Sequence, residues 1–240
     1  MNPYPLISII TVTYNAAKTI ADTINSVVSQ TYQNIEYIIV DGGSKDSTID
    51  IILTYKNKIT QWVSEPDKGI YDAMNKGLKM ANGDWCIFMG ADDVFYTEHT
   101  VEDFVRHFTN RNNVYYGNVI MKTTKEIYPG NKVSKLTICR KNICHQSIFY
   151  PKKIYKRYDY DLEYPIWADW LYNIKQFSLS PQSFIYINSI VSIFNDTGAS
   201  DKGDDNFKKD RWKIINRYMG TFYSVLLWIG YNTKQFIKNI

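Results

Sequence analysis

Between Ser64 and Asp93 the chain reads SEPDKGIYDAMNKGLKMANGDWCIFMGADD, which sets an acidic loop, an amphipathic segment, a short apolar run and two adjacent carboxylates in a row. Ile70, Met74 and Leu78 recur every four residues with Ala73, Gly77 and Ala81 beside them, while Asp72, Asn75, Lys76 and Lys79 take the other side. That pattern predicts a helix, and Asn82-Gly83 supplies its stop. Trp85 to Met89 has the length and composition of a buried strand, and Gly90-Ala91 clears bulk just before Asp92-Asp93. Carboxylates at the C-terminal end of a strand stand where an open α/β sheet keeps its ligands, and this layout suits a metal-assisted phosphate site.

Upstream, Leu6 to Val12 is β-branched and apolar, as a buried parallel strand requires, and Asn15 is placed to cap a helix with Ile20, Ile24, Val27 and Val28 on its inner face. A second strand, Ile35 to Val40, ends at Asp41-Gly42-Gly43-Ser44, and a helix follows to about Tyr55. Thr60 to Ser64 makes a third strand, so strand and helix alternate at the pace of a doubly wound sheet whose first half is of nucleotide-binding type. Asp41 is suited to bind a base or ribose hydroxyl or to cap the next helix; Ser44 and Asp46 already offer caps, which favours ligand contact. No GxGxxG follows the first strand and no GxxxxGK[ST] occurs, which argues against a dinucleotide oxidoreductase and a P-loop NTPase.

Downstream, a helix is expected from about Glu98 to Phe108, then strands over Val114 to Met121 and Glu126 to Tyr128. In Cys144-His145-Gln146-Ser147-Ile148-Phe149-Tyr150-Pro151 polar side chains precede an apolar strand; His145 suits either a structural role or a contact to phosphate or acceptor. Pro165 to Leu171 opens a helix with Trp170, Ile174 and Phe177 on one side. Asp169 falls in its first turn, where the helix dipole alone favours a carboxylate. Gln182 to Phe194 is the last expected strand, and Asn195-Asp196-Thr197-Gly198-Ala199-Ser200 is loop material able to close over a ligand. A basic helix with Phe207, Arg211, Ile214, Ile215 and Tyr218 on one face then runs into the apolar stretch Phe222 to Ile229. That stretch is about half of the roughly 20 residues a bilayer span takes, and fits either an interfacial anchor on anionic lipid or a helix packed on the domain or on a second copy.

Composition sets the bounds. A chain of 240 residues fits one domain, with or without a small appendage. Its 20 Tyr and 6 Trp suit either a packed core or polar-edged walls for sugars and bases. Cys86, Cys139 and Cys144 lack CxxC spacing, which indicates neither a disulfide framework nor a redox motif and fits a reducing cytoplasm. Cys139, Cys144 and His145 lack a fourth zinc ligand. The N-terminal MNPYPLISIITVTYN has no basic leader and leads straight into a patterned fold, unlike a signal peptide. Residues 208–240 carry seven basic side chains against Asp210, a local +6 within a net charge of +4, so the remainder is 4 − 6 = −2. Positive charge beside an apolar stretch fits nucleic-acid binding poorly.

Laid out in order, ISIITVTYN, SVVSQTYQNIEYIIVDGGSKDST and SEPDKGIYDAMNKGLKMANGDWCIFMGADD resemble the family 2 glycosyltransferases of the GT-A fold, especially bacterial enzymes that build capsule, O-antigen or exopolysaccharide. CHQSIFY, the WADW carboxylate and the ASD loop extend the likeness more loosely. The resemblance implies a doubly wound mixed sheet flanked by helices. It divides the chain into a catalytic domain over 1–205, with a nucleotide-sugar-binding half over 1–95 and an acceptor-binding half over 96–205, and a basic amphipathic helical tail over 206–240. It implies that Val12 and Tyr14 line the nucleotide site, that Asp41 bonds the base, and that Lys76 and Asp92 also serve the nucleotide sugar. Asp92 and Asp93 stand where the family's acidic motif holds Mg²⁺ or Mn²⁺ on the diphosphate, and Asp169 stands where it keeps its general base. His145, Gln146 and Trp167 become candidate contacts to phosphate or acceptor. Ala168 replaces the first acid of the family's Glu-Asp pair, and Gly90 replaces the first acid of its Asp-x-Asp-Asp form.

The chemistry calls for these residue types: a hard cation offsets charge on a departing diphosphate, and a carboxylate within about 3 Å takes the acceptor's proton. Without a Gln-x-x-Arg-Trp motif or several membrane helices, the implied activity is inverting transfer of one sugar per encounter to a lipid-linked saccharide. The implied location is the cytoplasmic face of a bacterial inner membrane, held through the tail, with a homodimer as a further option. Two other readings are an inactive nucleotide-sugar-binding scaffold and a sugar nucleotidyltransferase; VTYNAAKT lacks the Gly-rich, Arg-containing loop of the latter.

Overall fold

The structure, a computed structural model, describes residues 4–198 and 203–238, with side chains described as far as Gly230 in the last helix. Strand β1 (Ile7–Thr13) is buried at every position, as its β-branched run demands. It is followed by α1 (Ile20–Val28), β2 (Ile35–Asp41), α2 (Thr48–Thr54), β3 (Gln61–Ser64), α3 (Ile70–Met80) and β4 (Trp85–Gly90). These strands pair in parallel in the order β3-β2-β1-β4, with Val12 level with Val40 and Gly90, so their C-terminal ends form one edge.

The second half runs β5 (Val94–Phe95), α4 (Thr100–Val105), β6 (Val114–Met121), β7 (Ile127–Tyr128), α5 (Lys135–Ile138), β8 (Ile148–Pro151), α6 (Lys152–Tyr155), α7 (Ala168–Leu179), β9 (Phe184–Phe194), α8 (Asp205–Met219) and α9 (Thr221–Lys238). It extends the same sheet as β4-β8-β6-β9-β5, with β7 on β6, and β8 runs antiparallel to both its neighbours. Two consequences fix the site. Because β8 runs against β4, the residues just before β8, including His145 and Gln146, arrive where β4 ends. Because β9 runs parallel to β6 and hence with β4, its exit at Asn195 arrives at the same end.

Sequence alternation along β4 sorts the core into two layers. Cys86 and Phe88 join Met74, Leu78, Tyr150, Tyr160, Tyr172 and Ile174 on the face covered by α3 and α7. Trp85, Ile87 and Met89 join Ile24, Val27, Phe104, Phe108 and Tyr115 on the face covered by α1 and α4. Helix α3 lies so close to β1 at Gly77 that a Cβ there would sit 2.4 Å from Ile10 Cγ2. Most of the large aromatics pack here, with Tyr37, Tyr115, Tyr116, Tyr150 and Tyr155 fully buried.

Several local expectations are corrected. Asn15 does not cap α1, whose N-cap position is Thr19; it takes a left-handed turn at φ 49 and accepts the Lys45 N–H, while its own N–H bonds Ser44 Oγ, joining the β1 and β2 loops. The helix expected over Glu98 to Phe108 is confined to α4. Within α3, Ile70 is exposed and Tyr71 takes the inner position, because the first turn faces a cavity. Asn75, expected outside, is buried and bonds the Tyr160 backbone through both ends of its amide.

Helix α8 is built into the core. Phe207 stacks on Trp170 with centroids 5.0 Å apart and meets Trp167 and Tyr164 edge-on. Helix α9 packs on α8 through buried Leu227 and exposes Phe222, Val225 and Leu226. Among the described residues no helix is long and apolar enough to cross a membrane.

Candidate active site

A cavity of about 860 Å³ opens at the common edge of the sheet. Its floor on one side is Val12 and Tyr14 from the end of β1, with Tyr14 well exposed, so both stand where a flat ligand can lie against them. Asp92 enters after β4, and His145, Trp167 and Asp169 enter from the other half.

Asp41 and Lys76 are not brought to this cavity. The Asp41 carboxylate is completely buried and accepts from the Gly43 and Ser44 backbone N–H groups at 2.9 Å, from Ser64 Oγ at 2.7 Å and from Ser44 Oγ. It closes the tight turn after β2 and ties it to β3, and it does not cap α2. Lys76 bonds Glu65 at 2.9 Å and the Pro66 carbonyl at 2.9 Å, and the Glu65 bond holds its pKa above the ordinary lysine value. It props the loop ahead of α3 from outside.

The two carboxylates after β4 separate by burial. Asp93 is 2% exposed; Oδ2 accepts from Gln146 Nε2 at 2.7 Å and the Gly90 N–H at 3.1 Å, and Oδ1 accepts from the Asn195 N–H at 2.8 Å. Burial pushes its pKa up and the Asp92 charge adds to this, against the donors on Asn195 and Gln146. Asp93 therefore joins three segments through its carboxylate while it lines the cavity beside Asp92. The amide of Gln146, which also lines the cavity, spans Cys144 Sγ and Asp93. The zinc option for Cys139, Cys144 and His145 gains nothing, since no cluster of three such ligands occurs among the described residues.

Asp92 is half-buried. Its Oδ2 accepts from Asn195 Nδ2 at 2.8 Å, and Oδ1 has no hydrogen-bond partner among the described residues. The missing first acid also has an explanation. A Cβ at Gly90 would lie 2.5 Å from Asp93 Oδ2, an atom already pinned by two donors, so no side chain fits at position 90 beside this arrangement. A divalent cation such as Mg²⁺ or Mn²⁺ would be held here by Asp92, with Asp93 beside it on the cavity wall.

On the opposite wall Asp169, 6% exposed, begins α7. Its Oδ1 accepts from Tyr71 O–H at 2.9 Å and from the Trp170 N–H at 2.8 Å, and its Oδ2 lies 3.1 Å from His145 Nδ1. The Tyr71 hydroxyl is pushed well above the ordinary tyrosine pKa by burial and by the Asp169 charge, so it stays a neutral donor. Trp167 lines the cavity beside this group, over the α8 N-terminus. Asp204 holds that corner: it caps α8 through the Phe207 N–H and accepts from the Ile166 and Trp167 N–H groups.

Two participants, Tyr71 and Asp204, escaped the sequence reading, and Asn195 was singled out only as part of a loop. Tyr71 shares the i, i+3 and i+7 face of Met74 and Leu78 and was legible by periodicity; Asn195 and Asp204 sit in loops with no local signal. Of the Asn195 to Ser200 segment, Ala199 and Ser200 lie outside the described residues.

The sheet order, the parallel nucleotide-binding half and the paired acidic walls define a GT-A type fold. The same fold occurs in the Staphylococcus aureus protein TarS, residues 1–349, solved in complex with UDP-GlcNAc (TM-score 0.69, 18% identity, 89% of this chain and 71% of that chain). It occurs too in the mannosyltransferase PcManGT from Pyrobaculum calidifontis, solved with GDP-Man and Mn²⁺ (TM-score 0.61, 16% identity, 78% of this chain and 56% of that one). The sequence profile of glycosyl transferase family 2 matches residues 8–177, and the chain belongs to that family. A PGL/p-HBAD biosynthesis glycosyltransferase of Mycobacterium tuberculosis (strain ATCC 25177 / H37Ra) is 34% identical over 201 residues, 81% of this chain and 78% of the relative. An uncharacterized glycosyltransferase of Rickettsia bellii is 37% identical over 147 residues, 58% of this chain and 21% of that protein.

Proposed function

We propose that the protein is an inverting glycosyltransferase that moves one sugar per encounter from a nucleoside diphosphate sugar to a hydroxyl of a lipid-borne saccharide. The observation that carries this reading is that one cavity holds the unbonded oxygen of Asp92 on one wall and the hydrogen-bonded Asp169–His145 pair on the other. A donor lying on Val12 and Tyr14 directs its diphosphate to Asp92. A divalent cation bound at Asp92 would offset the charge that develops on the leaving diphosphate. The acceptor hydroxyl comes from the side of Trp167 and gives its proton to the Asp169–His145 pair as its oxygen bonds the anomeric carbon. The bond from that carbon to the phosphate oxygen breaks and its electron pair leaves with the nucleoside diphosphate. One in-line displacement inverts the anomeric centre.

Two features support a lipid-borne acceptor used at the cytoplasmic face of a membrane in surface glycan synthesis. Arg140 and Lys141 line the cavity, and Arg140 reaches within 3.9 Å of where a Cβ on Gly230 of α9 would stand. That helix carries the exposed Phe222, Val225 and Leu226, so a cationic path joins the cavity to an apolar helix face. The mycobacterial relatives are named for PGL/p-HBAD biosynthesis, which agrees with a glycolipid product.

The test is a screen of UDP-, GDP- and dTDP-sugars for thermal stabilisation and for donor hydrolysis, with and without Mn²⁺. One nucleotide class should stabilise the chain and be cleaved; neither effect with any donor rejects the reading.

A further inference from the structure

We propose that Arg140 and Lys141 bind a phosphate that joins the acceptor's saccharide to its lipid, so that the acceptor is a lipid phosphate or diphosphate sugar and not a neutral glycolipid. The inference rests on the transferase reading above and names its acceptor class. Both residues are exposed and line the cavity just after α5. Neither makes an ion pair among the described residues, whereas Lys76, Arg106, Lys208 and Lys213 each have a carboxylate partner. The Lys141 ammonium lies 3.5 Å from the centre of the Tyr128 ring, another part of the cavity wall. Partial burial of that ammonium draws its pKa below the ordinary lysine value, a cost that a bound anion would offset.

The pair sits on a fixed mount. Helix α5 ends in buried Ile138 and Cys139, so the chain is anchored where the two cations leave it. Four carbonyls of this turn accept side-chain hydrogen bonds: Ile138 from Trp170 Nε1 at 2.6 Å, Cys139 from Arg211 at 2.9 Å, Asn142 from Tyr128 O–H at 2.9 Å and Ile143 from Asn173 at 3.4 Å. A backbone already held in place lowers the ordering cost of binding. Position then says which anion fits. Arg140 comes within 3.9 Å of where a Cβ on Gly230 would stand, so it lies between the cavity and α9, whose Phe222, Val225 and Leu226 are exposed. Asp92, which would hold the cation on the donor's diphosphate, enters from the other half of the sheet, after β4. A molecule laid from the cavity past Arg140 to α9 presents sugar, anion and hydrocarbon in that order, which is the order in a sugar joined to a lipid through phosphate. The guanidinium matches two phosphate oxygens at once, and the ammonium adds a point charge.

The experiment titrates the full chain with decyl phosphate and with decyl maltoside, both below micelle-forming concentrations, and reads tryptophan fluorescence. Mg²⁺ and the nucleoside diphosphate of the screen's best donor are present throughout, so that the donor side is filled. Decyl phosphate should bind about tenfold more tightly than the neutral maltoside, the share of a charge-assisted contact. Inorganic phosphate, which lacks the chain, should bind about tenfold more weakly than decyl phosphate. Changing Arg140→Gln and Lys141→Gln together should abolish the preference for decyl phosphate. Lys56→Gln with Lys58→Gln, the same loss of charge ahead of β3 at the opposite end of the sheet, should keep it. Equal affinity for the two decyl compounds overturns the inference, as does a preference that survives the change at 140 and 141. Inorganic phosphate binding as tightly as decyl phosphate overturns it too, because the site then takes an anion without a lipid. If the change at 140 and 141 also removes stabilisation by the donor, the pair serves the donor's diphosphate and the inference falls. A parent chain that no donor stabilises sinks the transferase reading; one that a donor stabilises but that does not prefer decyl phosphate sinks this inference alone.

Discussion

Replacing Asp204 with Ala removes one buried carboxylate and strips three backbone N–H groups, those of Ile166, Trp167 and Phe207, of acceptors at 2.9, 3.0 and 3.0 Å. Loss of the N-cap on α8 costs about 1 kcal/mol. The other two bonds run to a charged acceptor, and because Ile166 and Trp167 are only half-buried the lower value of about 1.5 kcal/mol each applies. The sum is about 4 kcal/mol, a large part of the roughly 5–15 kcal/mol that stabilises a domain. For a chain of this size it corresponds to a fall in Tm of about 8–16 °C. Activity should fall too, because Tyr71 O–H bonds both the Ile166 carbonyl and Asp169, so a loosened corner shifts the carboxylate. Urea unfolding followed by tryptophan fluorescence gives the stability, and donor hydrolysis gives the activity. Asp204→Ser, which keeps a cap for Phe207 but cannot reach both other donors, should fall between. If Asp204→Ala unfolds within about 1 kcal/mol of the parent and turns over normally, α8 is a dispensable tail and its place in the domain has been misjudged.

Asp92→Ala should abolish the part of donor-induced stabilisation that depends on Mn²⁺ and leave the chain's own Tm nearly unchanged; a donor response equal to the parent's in Mn²⁺ excludes Asp92 as the ligand. Asp93→Asn turns one of three inward acceptor contacts into a donor facing donors, so it should destabilise the chain in EDTA. Its pH dependence has a sign. The parent's folded Asp93 pKa is raised by burial, so the parent's stability from this group is full below the ordinary carboxylate value and is lost as pH rises through the raised one. The gap between parent and Asp93→Asn should therefore narrow as pH rises from about 4 toward neutrality; urea titrations showing a widening gap would contradict the burial argument. The triple change Phe222→Ser, Val225→Ser and Leu226→Ser should cut co-sedimentation with phosphatidylglycerol-containing vesicles several-fold and leave hydrolysis of the soluble donor intact, whereas unchanged sedimentation removes α9 as a membrane contact.

The parallel half was legible because its signals are local. Apolar runs such as ISIITV and YIIV can only be strands buried on both faces, and the four-residue spacing of α3 survives except in its first turn. For Asp41, sequence shows a carboxylate at the end of a strand but not Gly43, Ser44 and Ser64 converging on it. Asp92 and Asp93 read alike in sequence, and only the reversed direction of β8, which brings Gln146 across, and the exit of β9, which brings Asn195, bury Asp93 as a joint and leave Asp92 half-buried with one oxygen unbonded among the described residues. The pairing of His145 with Asp169 joins residues 24 positions apart on separate elements, a contact no periodicity announces. The tail stayed open between two readings for a related reason: Phe207, Ile214 and Ile215 make an amphipathic face whether the face meets lipid or α7.

The same joints explain how a site split between two halves of a sheet stays aligned. Asp93 receives bonds from the residue after β9, from the turn before β8 and from β4 itself, so the donor wall cannot move against the acceptor segment without stranding a buried carboxylate. Gln146, one of those bonds, is the neighbour of His145. The acceptor wall is fixed in turn through Asp169 to α3, the helix that follows the donor-side loop. Asp93 thus spends its carboxylate on geometry, while an Asp92 oxygen and the Asp169–His145 pair line the cavity from opposite walls. In the proposed transfer these walls supply the two things that displacement at an anomeric carbon needs from a protein: one steadies the leaving group and the other receives the proton.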